Sequence, residues 1–166
     1  MNTSEFYMTA INMINDETLR LDNFCDALDK DADEKKKQIV EYKRAKYRYA
    51  GITNVWCVLR LNYRNRATNA RTNYLAPKIN EIFTSNERYF ELYMSAPEDK
   101  KADYALYFGV KSFAEDKLQS LEKELPLATD WEKVELEDRI DGIKFAISCL
   151  NTAWQSEGKC YDEGKA

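Results

Sequence analysis

Apolar residues recur every three or four positions through most of this 166-residue chain, and turn formers are scarce, with five glycines and three prolines. That combination leaves few folds open, because spacing of this kind places side chains on one face of an α-helix. The cleanest stripe is Leu136, Ile140, Ile143, Ile147, Leu150 and Trp154, opened by a capping box at Thr129 and Glu132 and closed at Gly158. A stripe near the N-terminus steps through Tyr7, Ile11, Ile14, Thr18, Leu21, Cys25 and Leu28, with Asn2 and Glu5 spaced as a second capping box.

The longest stripe holds Tyr42, Ala45, Tyr49, Ile52, Trp56, Leu59, Tyr63, Ala67, Ala70 and Tyr74, and predicts one helix from Asp33 to Ala76. Gly51 inside it marks a candidate kink, and Pro77 ends it because the residue before proline avoids the α region. Pro77 is also a good first position for a further segment with Ile79, Ile82, Phe83, Phe90, Tyr93 and Met94 on one face, which a capping box at Thr84 and Glu87 would divide. Ser95-Ala-Pro-Glu98 reads as a helix start, followed by Leu106 or Tyr107, Val110, Ala114, Leu118, Leu121 and Leu125 up to Pro126.

The expected fold is therefore all-α: an elongated antiparallel bundle of about five helices, some long and coiled-coil-like, because short connections favour antiparallel neighbours. Residues 1–157 form the expected single domain and 158–166 a flexible tail.

Charge is distributed unevenly along this pattern. Between Lys35 and Lys78 there are twelve Lys or Arg and one acid, Glu41, whereas residues 1–34 hold nine acids against two bases and residues 79–166 nineteen against eleven. The segments carry −7, +11 and −8, giving the overall −4. On a helical projection Lys46, Arg60, Arg64 and Arg71 fall on one flank of the Tyr/Trp seam, and Arg44, Arg48 and Arg66 on the other.

The seam itself reads as core, with Tyr47 opposite it and exposed. From Arg60 to Asn73 the segment mixes arginine with Asn62, Asn65, Thr68, Asn69, Thr72 and Asn73, weak helix formers that cost about 0.5 kcal/mol each relative to Ala. Arg and Asn are suited to phosphates and base edges, and local rules are often broken at functional surfaces. Lys46, Arg60, Arg64, Asn65, Asn69 and Arg71 are thus the candidate contacts for a partner or a nucleic acid. The competing reading is internal: Arg60, Arg64 and Arg71 facing Asp22, Asp26 or the acids between Glu132 and Asp141.

Catalytic chemistry is thinly represented. The chain has no histidine, which removes imidazole bases, Ser-His and Cys-His pairs and the usual nitrogen metal ligands. No P-loop, dinucleotide fingerprint or EF-hand spacing occurs. Glu132, Glu135, Asp138 and Asp141 step by three along one helix, and Glu132-Lys-Val-Glu135 resembles one element of the helical magnesium-dependent nucleotide pyrophosphohydrolases. The second matching element is missing, and a solvated acidic face accounts for the stripe. Four cysteines without a C-x-x-C pair argue against zinc and for a reduced, cytoplasmic setting; Cys25, Cys57 and Cys149 read as packing residues and Cys160 as an exposed thiol.

A secretory signal is not expected, since the first 15 residues carry Glu5, no Lys or Arg and no apolar stretch, and no apolar run approaches the roughly 18 residues a membrane span needs. The small, acidic, glycine-poor helical character is similar to that of accessory proteins of viruses and mobile elements. The expectation is a non-catalytic interaction protein (adaptor, inhibitor or assembly factor) binding a protein partner or itself. The alternative is a nucleic-acid-associated accessory protein using the basic helix 35–78. No cofactor, metal or membrane is expected.

Overall fold

The structure is a computed structural model, and it describes residues 4–29, 35–68 and 87–157. Among them are five helices and no strand: α1 (Glu5–Asp29), α2 (Lys35–Thr68), α3 (Glu87–Met94), α4 (Lys101–Glu124) and α5 (Asp130–Glu157), with a 3-10 turn at Leu125–Leu127. The expected all-α bundle is observed. Asn2, the helix from Pro77, the Thr84 cap, the rest of the long helix to Ala76, Cys160 and the 158–166 tail lie outside the described residues.

The ends of these helices explain themselves locally. Ser4 caps α1: its hydroxyl accepts the Tyr7 backbone N–H at 3.1 Å, and its carbonyl accepts from Met8 at 3.0 Å. Ser95 does not begin a helix as its sequence context predicts. Its hydroxyl donates to the Glu91 carbonyl at 2.8 Å, finishing α3, and a turn through Pro97 leads to α4 at Lys101 with no side-chain cap at Lys100. Two adjacent signals compete here, and the serine serves the preceding helix. Pro126 ends α4 as expected, within the 3-10 turn. Asp130 opens α5 at φ 54°, a left-handed conformation that Asp tolerates better than most residues.

Two consecutive pairs, α1 with α2 and α4 with α5, run antiparallel. Tyr7 stacks on Tyr63, Trp56 bonds Asn15 and Arg48 meets Glu17, so α1 descends as α2 rises. Trp154 packs on Tyr104, Tyr107 and Phe108, and Lys144 faces Glu122, giving the same relation between α4 and α5. The most extensive packing joins α2 and α5, which are not consecutive. Lys43 over Trp131, Arg44 on Asp138 and Arg48 over Phe145 advance together, so these two helices run in the same general direction.

Gly51 and Gly142 make that packing close. A Cβ on Gly51 would collide with the Arg139 carbonyl, and one on Gly142 with the Arg48 carbonyl, 2.9 Å from the Ile52 nitrogen. Gly51 is therefore explained by the neighbouring backbone rather than by a kink, and α2 continues through it.

The predicted stripes mostly line the core. Tyr7, Ile11, Ile14, Leu21 and Cys25 of α1, Ala45, Ile52 and Leu59 of α2, and Leu136, Ile140, Ile143, Leu150 and Trp154 of α5 are buried. The α2 aromatics Tyr42, Tyr49, Trp56 and Tyr63 are only half-buried. The first half of α4 departs further from a single stripe: Tyr104, Leu106, Tyr107, Phe108, Gly109, Val110, Lys111 and Ser112 are all buried. It is enclosed by Phe6 of α1, Tyr89 of α3 and Trp154 of α5. Burying Lys111 requires polar company, which the interior supplies. Its ammonium donates to the Tyr107 hydroxyl at 3.2 Å, Tyr107 donates to Asn151 at 2.6 Å, and Tyr89 donates to the Glu115 carboxylate at 3.0 Å.

Candidate functional site

The cations of α2 divide into two sets with different surroundings. Arg44 and Arg48, one turn apart, reach carboxylates on neighbouring helices, Arg44 from an exposed position and Arg48 from a half-buried one. The Arg44 Nε lies 3.1 Å from Asp138, a carboxylate that is itself buried, and Arg48 Nε lies 3.2 Å from Glu17 while its guanidinium covers the Phe145 ring. Glu17 also accepts Arg20 at 2.7 Å. Hydrogen bonds from Arg20 first, then from Arg48, hold the Glu17 carboxyl below its ordinary range against the opposing effect of burial. Internal charge complementarity is thus real at Arg44 and Arg48. The phase of α2 decides this, since these two project toward α5 and α1.

Lys46, Arg60 and Arg64 lie on the outer face of α2 and are exposed. Lys46 Nζ sits 5.5 Å from the Tyr42 ring centroid, and the Arg60 guanidinium 5.1 Å from that of Trp56. Such seats contribute about 0.5–1 kcal/mol each at an exposed site. The Trp56 indole is fixed in turn, its Nε1 donating to Asn15 at 2.9 Å. Beside it Tyr7 and Tyr63 stack at 3.7 Å and 5°. Burial raises the Tyr7 hydroxyl pKa, and the Arg60 charge opposes that rise.

Among the described residues no ion pair joins Lys46 or Arg60 to a carboxylate. The side chain of Asn65, and all of Asn69 and Arg71, lie outside the described residues. Asn62 is not a surface residue: it is buried, its amide donating to the Val58 carbonyl at 2.8 Å.

The outer face has a regularity not anticipated from the core seam. Lys46, Ala50, Thr53, Cys57, Arg60 and Arg64 step by four and three along α2, a second heptad-like row opposite the buried one. Polar and small residues conceal it from a search for apolar periodicity; all its members are exposed except the half-buried Thr53. Cys57 belongs to this row and is exposed, whereas Cys25 and Cys149 are buried. The expectation that Cys57 packs inside fails because it stands two residues from Val55 and Leu59, on the opposite side of the helix.

The acids of α5 do not form a uniformly solvated face either. Asp138 is buried against Arg44, and Glu135 lies 4.0 Å from Arg139 of its own helix. Among the described residues no group of three or more His, Cys, Asp or Glu side chains converges in a way that could hold a metal ion. No helix among them is long and apolar enough to cross a membrane. No family model matches the sequence, and neither a curated protein nor a solved structure is similar to it.

Proposed function

We propose that this chain is a non-catalytic helical interaction protein, an adaptor, inhibitor or assembly factor, that engages a negatively charged macromolecular partner through the outer face of α2. The observation that carries the reading is the contrast between the two sets of cations. Arg44 and Arg48 are neutralised within the fold, while Lys46 and Arg60 rest on aromatic rings with no carboxylate partner among the described residues. Aromatic side chains combined with arginine are typical of contact surfaces.

An acidic protein surface fits better than nucleic acid, because a chain of net charge −4 repels an extended polyanion beyond the contact itself. The test compares wild type with the triple variant Lys46→Glu, Arg60→Glu, Arg64→Glu against a fluorescent glutamate-rich helical peptide and labelled single- and double-stranded DNA and RNA. Peptide binding that weakens with salt and is lost in the triple variant is expected. Nucleic-acid binding with the same dependence would replace the protein-partner reading. If wild type binds none of these probes at low salt and does not self-associate, the proposal is wrong.

A further inference from the structure

The neighbouring helix α1 carries a second outward row of opposite charge. Met8, Asn12, Asn15, Leu19, Asp22 and Asp26 follow the same four/three spacing, and all six are exposed. The row contains two acids and no base, and Leu19 on it is 59% exposed, the most exposed large apolar side chain on either helix. Beside it, the α2 row has Lys46 near one end and Arg60 and Arg64 at the other, with Ala50, Thr53 and Cys57 between them and the exposed Leu61 at its edge. The level of one row against the other is fixed within the chain, since Tyr7 stands beside Tyr63, Asn15 beside Trp56 and Glu17 beside Arg48. Continuing at equal rise per residue, Asp22 and Asp26 reach the level of Lys43 to Tyr47, Leu19 that of Ala50, and Met8 that of Leu61.

We infer that two copies of this chain pair through these faces about a two-fold axis running along the helices, laying α1 of each copy on α2 of the other. This deepens the reading of the α2 face as an interface and rests on it. An axis in that direction preserves levels, so the match follows from the fold. Asp22 and Asp26 of one copy meet Lys46 of the other. Leu19 falls over Ala50 and Thr53, small enough to admit it, and Met8 falls on Leu61. Such an interface is isologous, so every contact is made twice. Lys46 to Arg64 spans roughly 27 Å. Two helices about 10 Å apart then give a footprint of roughly 500–600 Å² per copy, at the low end for specific association, so the dimer is reversible. An acidic helix also suits the face better than nucleic acid, because Asp22 and Asp26 flank it within the same chain.

The test uses two charge-reversed variants at exposed positions, Lys46→Asp and Asp22→Lys/Asp26→Lys, with far-ultraviolet circular dichroism to verify folding. Sedimentation velocity and light scattering are run up to about 1 mM. Wild type should show a mass that rises with concentration to a dimer. Each variant alone should dimerise about tenfold more weakly or worse, because like charges oppose each other twice. An equimolar mixture of the two should recover the dimer, since both charge pairs are then complementary. A wild type that stays monomeric over the whole range overturns self-pairing, as does a dimer insensitive to either variant or a mixture that fails to recover. A monomer that still binds the glutamate-rich peptide through Lys46 would remove self-pairing alone, whereas one that binds no probe would remove the reading of the face as well.

Discussion

Replacing Gly51 with alanine separates two effects of opposite sign. Helix propensity alone favours the change by about 1 kcal/mol, because Gly51 lies inside α2. The structure opposes it. The new Cβ would stand 2.9 Å from the Arg139 carbonyl carbon and 3.0 Å from its Cα, against the roughly 3.5–4.0 Å of ordinary carbon contact. The obstacle is backbone, which cannot rotate away, so α2 and α5 must separate by at least about 0.5–1 Å. Such a gap forfeits a quarter to a half of each contact's attraction, and the buried Ile52, Val55, Ile140 and Ile143 are the side chains that lose it.

Overpacking of this kind costs about 1–3 kcal/mol, with backbone collisions at the upper end or beyond, so the net loss should be about 2 kcal/mol. For a chain of this size the midpoint should fall by roughly 4–8 °C. Thermal and urea unfolding followed by circular dichroism measure it. Ala50→Gly, one residue away and exposed, is the control and should lose about 1 kcal/mol through propensity alone. If propensity governed both sites, the two substitutions would have opposite signs; the crossing predicts that both destabilise. A Gly51→Ala variant more stable than wild type would refute the close approach. Gly142→Ala should behave like Gly51→Ala, and the double variant should lose less than the sum, because both open the same gap.

Other consequences are as direct. Arg44→Ala should cost more than Asp138→Ala, about 1–3 kcal/mol against about 1 or less, because it strands a buried carboxylate whereas the arginine is already exposed; the reverse order in urea unfolding would contradict the geometry. The Glu17 carboxyl is held below its ordinary 4.5, so it stabilises the fold above that pH and the contribution is lost as pH falls through the lowered value. Glu17→Gln should accordingly flatten the acid limb of a stability–pH curve. Cys57 should react with a thiol reagent in the native state before Cys25 and Cys149, the latter buried with its thiol pushed up to about 11, as peptide mapping by mass spectrometry can check.

Helix type and most core positions were legible because a three/four apolar rhythm is a local property. Leu136 to Trp154 is the clearest example, and every member except the half-buried Ile147 is buried. Which helix faces which is not local. The Arg44–Asp138 pair joins residues far apart in the chain, and nothing in the spacing of either helix distinguishes Arg44 from Arg60 as the one that pairs with a carboxylate of another helix. The all-round burial of α4 near Tyr107 was hidden for a similar reason, since it depends on three other helices converging there. Ser95 shows the limit at helix ends, since its context marks a helix start and its hydroxyl instead finishes the preceding helix. Lys46, Arg60 and Arg64 were found from charge alone, whereas Ala50 and Cys57 between them carry no such signal.

The rings beneath Lys46 and Arg60 bear on the entropy of any encounter at this face. A free lysine or arginine on a helix surface samples many rotamers, and fixing one upon contact costs roughly 0.5–1.5 kcal/mol. Tyr42 and Trp56 already confine these two side chains, and the indole is itself tied to Asn15 of the adjacent helix. Part of that ordering is thus completed when the chain folds. The face is stiffer than its composition of long cationic side chains implies, and an encounter there would leave less side-chain ordering to complete than on a floppier surface of equal charge.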